Sequence, residues 1–112
     1  MSQFDEVIEN CKKQMADKGI DCDEALLTAI AKSLGPSIYN RDSGTVATAD
    51  TGEMDTVRKN FIEGKLGVSD EAAAKAAIDA ATDKIGSSTT NKLRPVYYYL
   101  LTKELGKESV FA

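Results

Sequence analysis

The sequence of 112 residues contains no histidine, no tryptophan and only two cysteines. Imidazole is the usual general base near neutral pH and a common metal ligand. Its absence excludes Ser-His-Asp and Cys-His catalysis, HExxH zinc sites and haem held by histidine. Two cysteines alone cannot complete a structural zinc site, which takes four ligands. We therefore expect no metal ion and no cofactor, and these absences favour a protein without enzymatic activity.

The two cysteines lie at positions 11 and 22. A helix over residues 3–18, followed by a turn, places Cys11 about two helical turns, roughly 10 Å, from that turn, which is beyond the usual reach of a disulfide. The sequence therefore predicts two reduced thiols in a cytoplasmic protein, with Cys11 in the core and Cys22 in the turn.

The chain also has no long apolar segment. The longest apolar run covers residues 96–101, and acidic residues lie among the first dozen, so we expect neither a membrane span nor secretion.

The net charge of −4 argues against a protein dedicated to duplex DNA. Residues 1–83 hold 9 of the 14 Lys and Arg and 16 of the 18 Asp and Glu, so they carry −7, whereas residues 84–112 carry +3. We expect the basic end to face acidic surface from the earlier helices or from a second copy, through Lys92, Arg94, Lys103 and Lys107.

Apolar residues recur at intervals of three and four in five segments, which is the period of a helix with one buried face. Glycines or a Gly-Pro pair follow these segments and serve as stops. The segments cover residues 3–18, 23–34, 50–66, 69–85 and 92–105. The sequence thus predicts an all-α fold, a single-domain bundle of about five helices over residues 1–112 with a long irregular loop between helices two and three.

Capping signals refine these boundaries. We expect Ser69 to cap the fourth helix, Glu71 to pair with Lys75 one turn later, and Asn91 or an earlier Ser or Thr to cap the fifth. Pro95 then has to lie in the first turn of the fifth helix, because it lacks a backbone N–H group.

The fifth segment is apolar around most of its circumference, which indicates a central helix contacted on several sides. We expect its core residues to be Leu93, Tyr97, Leu101 and Leu105. Three successive tyrosines occupy residues 97–99, but successive helical positions span about 200°, so their rings cannot form one stacking platform for nucleic acid. Burial with the hydroxyls reaching polar partners is the prediction. The terminal Val110 and Phe111 should fold back onto the bundle.

The loop over residues 36–50 is longer than most connections in compact domains, and such loops often bind ligands or partners. Its polar side chains make the candidate binding site, which consists of Ser37, Tyr39, Asn40, Arg41 and Asp42. Arginine suits a carboxylate or a phosphate. The alternative is structural: Arg41 and Asp42 tie the loop to a helix end, and Ile38 or Tyr39 fills the core.

A calcium loop starting at Asn40 fails the EF-hand pattern. That pattern needs an oxygen ligand at position 5, glycine at position 6 and glutamate at position 12. Here those positions hold Gly44, Thr45 and Thr51. The loop therefore provides no metal site.

Three stretches of the sequence resemble a known family. They are Leu34–Asp42 (LGPSIYNRD), Tyr98–Lys103 (YYLLTK) and Gly106–Ala112 (GKESVFA). With these motifs the chain is similar, from Phe4 to Ala112, to a family of small uncharacterised bacterial proteins, a domain of unknown function. The resemblance implies a bacterial, cytoplasmic, single-domain helical protein and assigns no catalytic residue.

Two classes of function remain open. The first is a noncatalytic binding or protein-interaction module that self-associates or docks another protein. The second is a small enzyme or small-ligand binder that uses residues 37–42. The lack of histidine, of a phosphate-binding loop and of a carboxylate pair favours the first class.

Overall fold

The computed structural model describes residues 3–39, 44–46, 50–86 and 92–111. In these ranges the chain forms an all-α bundle, which confirms the predicted fold class. The α-helices are α1 (Gln3–Asp17), α2 (Glu24–Leu34), α3 (Thr51–Thr56), α4 (Glu71–Ile85) and α5 (Arg94–Leu105). A π-helix covers Val57–Glu63, and two short 3-10 helices cover Gly35–Tyr39 and Glu108–Phe111.

Helix α5 is the central helix, as predicted. Every residue from Pro95 to Thr102 is buried, because α1, α2 and α4 pack around it. Tyr97 and Leu101 are fully buried. Leu93 and Leu105, at the two ends of the helix, are only partly buried and pack against the edge of the core. The core is therefore centred on the middle of α5.

Helix α4 packs against α5 through small side chains. Its buried residues are Ala74, Ala77, Ala81 and Ile85. Alanine keeps two helix axes close together and has the highest helix propensity, so this face suits packing within one chain. Asp70 caps the helix by accepting hydrogen bonds from the backbone N–H groups two and three residues later, at 3.0 and 3.3 Å.

Two predicted details of α4 are wrong. The capping residue is Asp70 rather than Ser69, because the helix begins one residue later than the pattern suggests. Lys75 pairs with Asp79 at 3.4 Å, in the direction of the helix C-terminus, rather than with Glu71. The predicted kinds of interaction, an N-cap hydrogen bond and an i,i+4 ion pair, are both present, but each involves a residue other than the predicted one.

The third predicted helix is α-helical for one and a half turns only, and the π-helix then continues it. The backbone N–H groups of Gly64 and Leu66 bond to carbonyls five residues earlier, at 3.0 and 2.9 Å. Glycine is required at position 64, because a Cβ atom there would lie 2.7 Å from the carbonyl oxygen of Asn60. The apolar spacing predicts a helical face but does not distinguish the wider π-helical turn.

Helix α5 begins at Arg94, two residues later than predicted. Leu93 is the N-cap residue and makes no side-chain cap, and Pro95 lies in the first turn as expected. The backbone N–H of Leu93 instead donates to Oε1 of Gln14 in α1, at 3.1 Å. The predicted cap Asn91 lies outside the described residues.

Part of the predicted irregular loop returns to the start of α5. The backbone N–H of Val46 donates to the carbonyl of Lys92 at 2.8 Å, and that of Arg94 donates to the carbonyl of Gly44 at 2.8 Å. Thr45 thereby forms an isolated bridge with Leu93. This short backbone pairing attaches the loop to the bundle.

The predictions for the two cysteines are confirmed, and the prediction for the end of the chain is confirmed in part. Cys11 is buried and Cys22 is exposed, and both thiols are free, as predicted. Phe111 folds back and its ring centroid lies 6.3 Å from that of Phe61, but Val110 remains 38% exposed, so the prediction for Val110 is wrong. Consecutive residues of a 3-10 helix point in different directions, so only one of the two reaches the bundle.

Among the described helices, none combines the length and the apolar character required to span a bilayer.

Candidate functional site

The predicted binding cluster lies mostly beyond the part of the chain that the structure describes. Asn40, Arg41 and Asp42 are outside the described residues, and Ser37 is described only as part of the 3-10 helix Gly35–Tyr39. Tyr39 is 41% exposed. Ile38, rather than Tyr39, fills the core, with 7% of its surface exposed. The cluster therefore remains a prediction.

Arg94 anchors the loop, and no sequence signal identified this role. Its Nη2 atom donates to the carbonyl of Thr45 at 2.9 Å and to Oε1 of Glu53 at 2.5 Å. Its Nη1 atom donates to the hydroxyl of Tyr98 at 2.9 Å. Burial alone lowers the pKa of Arg94, but the hydrogen bonds and charges of Glu53 and Tyr98 raise it above its ordinary value. The guanidinium is thus a charged connection between the loop, α3 and α5.

The basic end behaves as predicted at Arg94 and differently at Lys103. Arg94 pairs with Glu53, which belongs to an earlier helix. Lys103 lies 4.0 Å from Glu108, which belongs to the basic end itself. Lys92 is buried, with 5% of its surface exposed. Arg94 thus brings α3, an earlier helix, against the basic end of the chain.

The three tyrosines of α5 are buried and their hydroxyls have polar partners, which confirms the prediction. The hydroxyl of Tyr97 lies 2.9 Å from that of Thr82 and 3.3 Å from the carbonyl of Ile78, both in α4. Burial raises the pKa of Tyr97 and of Tyr98. The rings point to different elements of the bundle, so they form no common platform.

Tyr99 connects α5 to the turn between α1 and α2. Its hydroxyl donates to the backbone carbonyl of Asp21 at 2.9 Å and accepts a hydrogen bond from the backbone N–H of Asp23, also at 2.9 Å. The Nζ atom of Lys103 lies 5.9 Å from the centre of the ring. Tyr99 therefore forms the base of the surface between the turn and α5.

A cleft of about 360 Å³ opens at this surface. One lysine reaches it from each of three elements: Lys18 from the turn after α1, Lys84 from the last turn of α4 and Lys103 from the last turn of α5. Ile20 and Leu100 contribute apolar atoms to its walls. We call this concavity the lysine cleft.

The three amines of the lysine cleft are differently paired. Lys84 lies 3.3 Å from Oε1 of Glu104, and Lys103 lies 4.0 Å from Oε2 of Glu108. These side chains are between 31% and 55% exposed, so water screens both pairs. Lys18 forms no ion pair with another residue in the described ranges. Cationic groups are thus available at the mouth of the cleft.

The lysine cleft was not found from the sequence, because its lysines are separated by 66 and 19 positions. A lysine in the last turn of a helix is a common complement to the helix dipole. Only the packing of three helix ends around Tyr99 brings these lysines together. Tyr99, four residues before Lys103, indicated core packing in the sequence and carried no information about the cleft.

A second, smaller hollow of about 210 Å³ lies beside the π-helix. Phe61 and Tyr98 stack at its base, with their ring centroids 4.1 Å apart. Leu34, Asn60 and Lys65 also line it. Because Leu34 directly precedes the 3-10 helix Gly35–Tyr39, this hollow lies at the start of the predicted binding loop.

In the described ranges no group of three Cys, Asp or Glu side chains is placed to hold a metal ion.

A known protein family matches this chain. No curated protein matches the sequence. A family described as protein of unknown function, DUF2853, matches residues 5–109, which confirms the resemblance to a domain of unknown function. Since this match covers nearly the whole chain, the protein belongs to the DUF2853 family.

Proposed function

We propose that this protein is a noncatalytic binding module whose ligand occupies the lysine cleft. The observation that carries the proposal is the convergence of Lys18, Lys84 and Lys103 around Tyr99 in one concavity of about 360 Å³. Small-molecule sites are commonly concave and partly apolar, with a few polar groups that orient the ligand, and this volume lies within their usual range.

The chemistry of the buried polar groups favours binding over catalysis. The hydroxyl of Tyr97, like that of Tyr99, is committed to hydrogen bonds between elements of the bundle. Burial raises the pKa of Tyr97 and of Tyr98, so these hydroxyls stay protonated at neutral pH and are poorly suited to general acid–base catalysis there. Burial also raises the pKa of Cys22, which disfavours the nucleophilic thiolate.

The state of the cysteines supports a cytoplasmic location. Both Cys11 and Cys22 are free thiols, and Cys22 is exposed to solvent. Exposed thiols persist most readily in a reducing compartment. We therefore place the binding module in the cytoplasm.

Ligand binding at the lysine cleft is tested by NMR. A fragment set with neutral, cationic and anionic members is added to the 15N-labelled protein. Because Gly19, Ile20 and Leu100 line the cleft, the backbone amides of these residues should shift with at least one fragment class. The proposal is wrong if no fragment shifts these amides, or if all shifts fall elsewhere, for example near Asn60.

A second candidate site is the loop with Ser37, Tyr39, Asn40, Arg41 and Asp42. The exposed ring of Tyr39 and the hollow beside Leu34 favour it, since exposed aromatic side chains near a concavity are common in interfaces. In this alternative the loop binds a small ligand or docks a protein partner or a second copy, and no duplex DNA is involved.

A further inference from the structure

We infer that the ligand of the lysine cleft is a small organic phosphate, an inference that rests on the binding function proposed above. The cleft presents three ammonium groups and one carboxylate, that of Asp21. Lysine binds phosphate as a compact point charge with three donors. A phosphate monoester carries about −1.5 to −2 charges near pH 7, so the three ammonium groups attract it more strongly than they attract a singly charged carboxylate.

Two of the three amines form ion pairs, and these pairs leave the amines able to bind a further anion. Glu104 and Glu108 lie beside Lys84 and Lys103 at 3.3 and 4.0 Å, and all four side chains are substantially exposed. Exposed ion pairs contribute little to stability. A phosphate dianion can therefore take the place of one carboxylate contact at small cost, while Lys18 has no competing ion pair among the described residues.

The walls of the cleft indicate that the phosphate carries an organic group. Ile20 is half-buried at one side, and Leu100 and the ring of Tyr99 form the base. Inorganic phosphate contacts only the amines, whereas an ester with an apolar body also covers the apolar wall. Burial of that apolar surface adds affinity.

A purely structural role for these lysines makes a different prediction. Lys18 follows α1, and Lys84 and Lys103 lie in the last turns of α4 and α5, where cations offset the partial negative charge of a helix end. Lys32 lies in the last turn of α2, is exposed, and does not line the cleft. It is therefore a matched control for the helix-dipole effect.

The experiment compares phenyl phosphate, inorganic phosphate, benzoate and benzyl alcohol as NMR titrants of the full chain. We expect phenyl phosphate to bind most tightly and its affinity to fall as salt is added. The variant with Lys18→Gln, Lys84→Gln and Lys103→Gln should lose about tenfold or more in affinity, because three attractive charges are removed. The control variant replaces three exposed lysines that do not line the cleft, with Lys13→Gln, Lys32→Gln and Lys59→Gln. It has the same net charge as the cleft variant and should bind within about twofold of the parent.

Each outcome decides between the proposals. If benzyl alcohol shifts the cleft amides as strongly as phenyl phosphate does, and the cleft variant binds equally well, the phosphate inference is overturned and the binding function stands. Equal binding of benzoate and phenyl phosphate also overturns the choice of phosphate. If neither these probes nor the fragment set shifts the cleft amides, both proposals are wrong. Loss of stability in the cleft variant, with the affinity of the folded protein unchanged, supports the structural role and overturns the inference.

Discussion

The hydroxyl of Tyr99 donates a hydrogen bond to the backbone carbonyl of Asp21, 78 residues earlier in the chain, at 2.9 Å. The same hydroxyl accepts a hydrogen bond from the backbone N–H of Asp23. The turn between α1 and α2 is therefore attached to the central helix. Because Lys103 lies one helical turn after Tyr99, and Lys18 lies at the start of the attached turn, this contact assembles the lysine cleft.

Replacement of Tyr99 by Phe should affect both stability and the cleft. The change removes two hydrogen bonds to backbone groups, so we expect the free energy of unfolding to fall by about 1 to 3 kcal/mol, as measured by urea denaturation. Binding of phenyl phosphate should weaken in the same variant. Tyr97→Phe is the control, because its hydroxyl bonds to α4 and not to the turn. Unchanged binding in Tyr99→Phe would show that the turn does not depend on this contact.

The pairing of Arg94 with Glu53 should stabilise the fold measurably. The two side chains are 13% and 26% exposed, so solvent screens the pair only in part. We expect Arg94→Gln to lower the free energy of unfolding by about 1 to 3 kcal/mol, because it also removes the bonds to Thr45 and Tyr98. A double-mutant cycle with Glu53→Gln isolates the pair. The exposed pair of Lys75 and Asp79 serves as the reference, and a coupling no larger than that of this reference would contradict the prediction.

The protein should lose stability in alkali. Burial raises the pKa of Tyr97 and of Tyr98 above the ordinary value of 10.0, so the folded state holds these protons more tightly than the unfolded state. Their contribution is fully present below pH 10 and is lost as the pH rises through the folded-state pKa values. Urea unfolding followed between pH 8 and pH 11.5 should show this decline.

The alkaline decline has a specific control. Tyr97→Phe should reduce the slope of stability against pH above pH 10, and Tyr98→Phe should reduce it as well, because each variant removes one group whose pKa is raised by burial. An identical slope in all three proteins would mean that other groups cause the loss of stability.

The two thiols should differ in their reaction with Ellman's reagent. Burial raises the pKa of Cys11 to about 12, and its side chain is inaccessible in the core, whereas Cys22 is exposed. We expect one thiol to react in the native protein and the second only on unfolding. In Cys22→Ser the rapid phase should disappear. Rapid reaction of both thiols would indicate that α1 opens readily.

The loop residues are tested by the double variant Arg41→Ala and Asp42→Ala. If these side chains only anchor the loop, the variant should lose about 1 to 3 kcal/mol of stability, the typical cost of removing a buried charge-assisted hydrogen bond. If they contact a ligand or partner, the melting temperature should stay near that of the parent and binding should be lost. A large loss of stability with binding retained removes the loop from the candidate sites.

Local patterns in the sequence were sufficient to locate the five helical segments and the centre of the core. The spacing of apolar residues predicted five helical segments, and Gly106 ends α5 in the left-handed region as expected, with φ of 64°. Burial of Tyr97–Tyr99 followed from the apolar residues that surround most of the circumference of this helix. These predictions succeeded because they depend on residues within a few turns of one another.

Partner choices at the helix ends were harder to predict. Asp70 rather than Ser69 caps α4, and Leu93 precedes α5 without a side-chain cap. Neighbouring polar residues compete for such positions with differences of only about 1 kcal/mol, so packing of the whole helix decides between them. The π-helix after α3 was not predicted either, because the spacing of apolar residues does not distinguish its wider turn from an α-helix.

The sequence by itself determined the all-α class, the central position of α5 and the exclusion of histidine-based chemistry. Tertiary structure alone decided the attachment of the loop by Arg94 and the convergence of Lys18, Lys84 and Lys103 around Tyr99. The physical reason is the range of the interactions involved. Helix periodicity is a property of residues three or four positions apart, whereas a site formed by separate helix ends depends on how those helices pack, which local patterns do not specify.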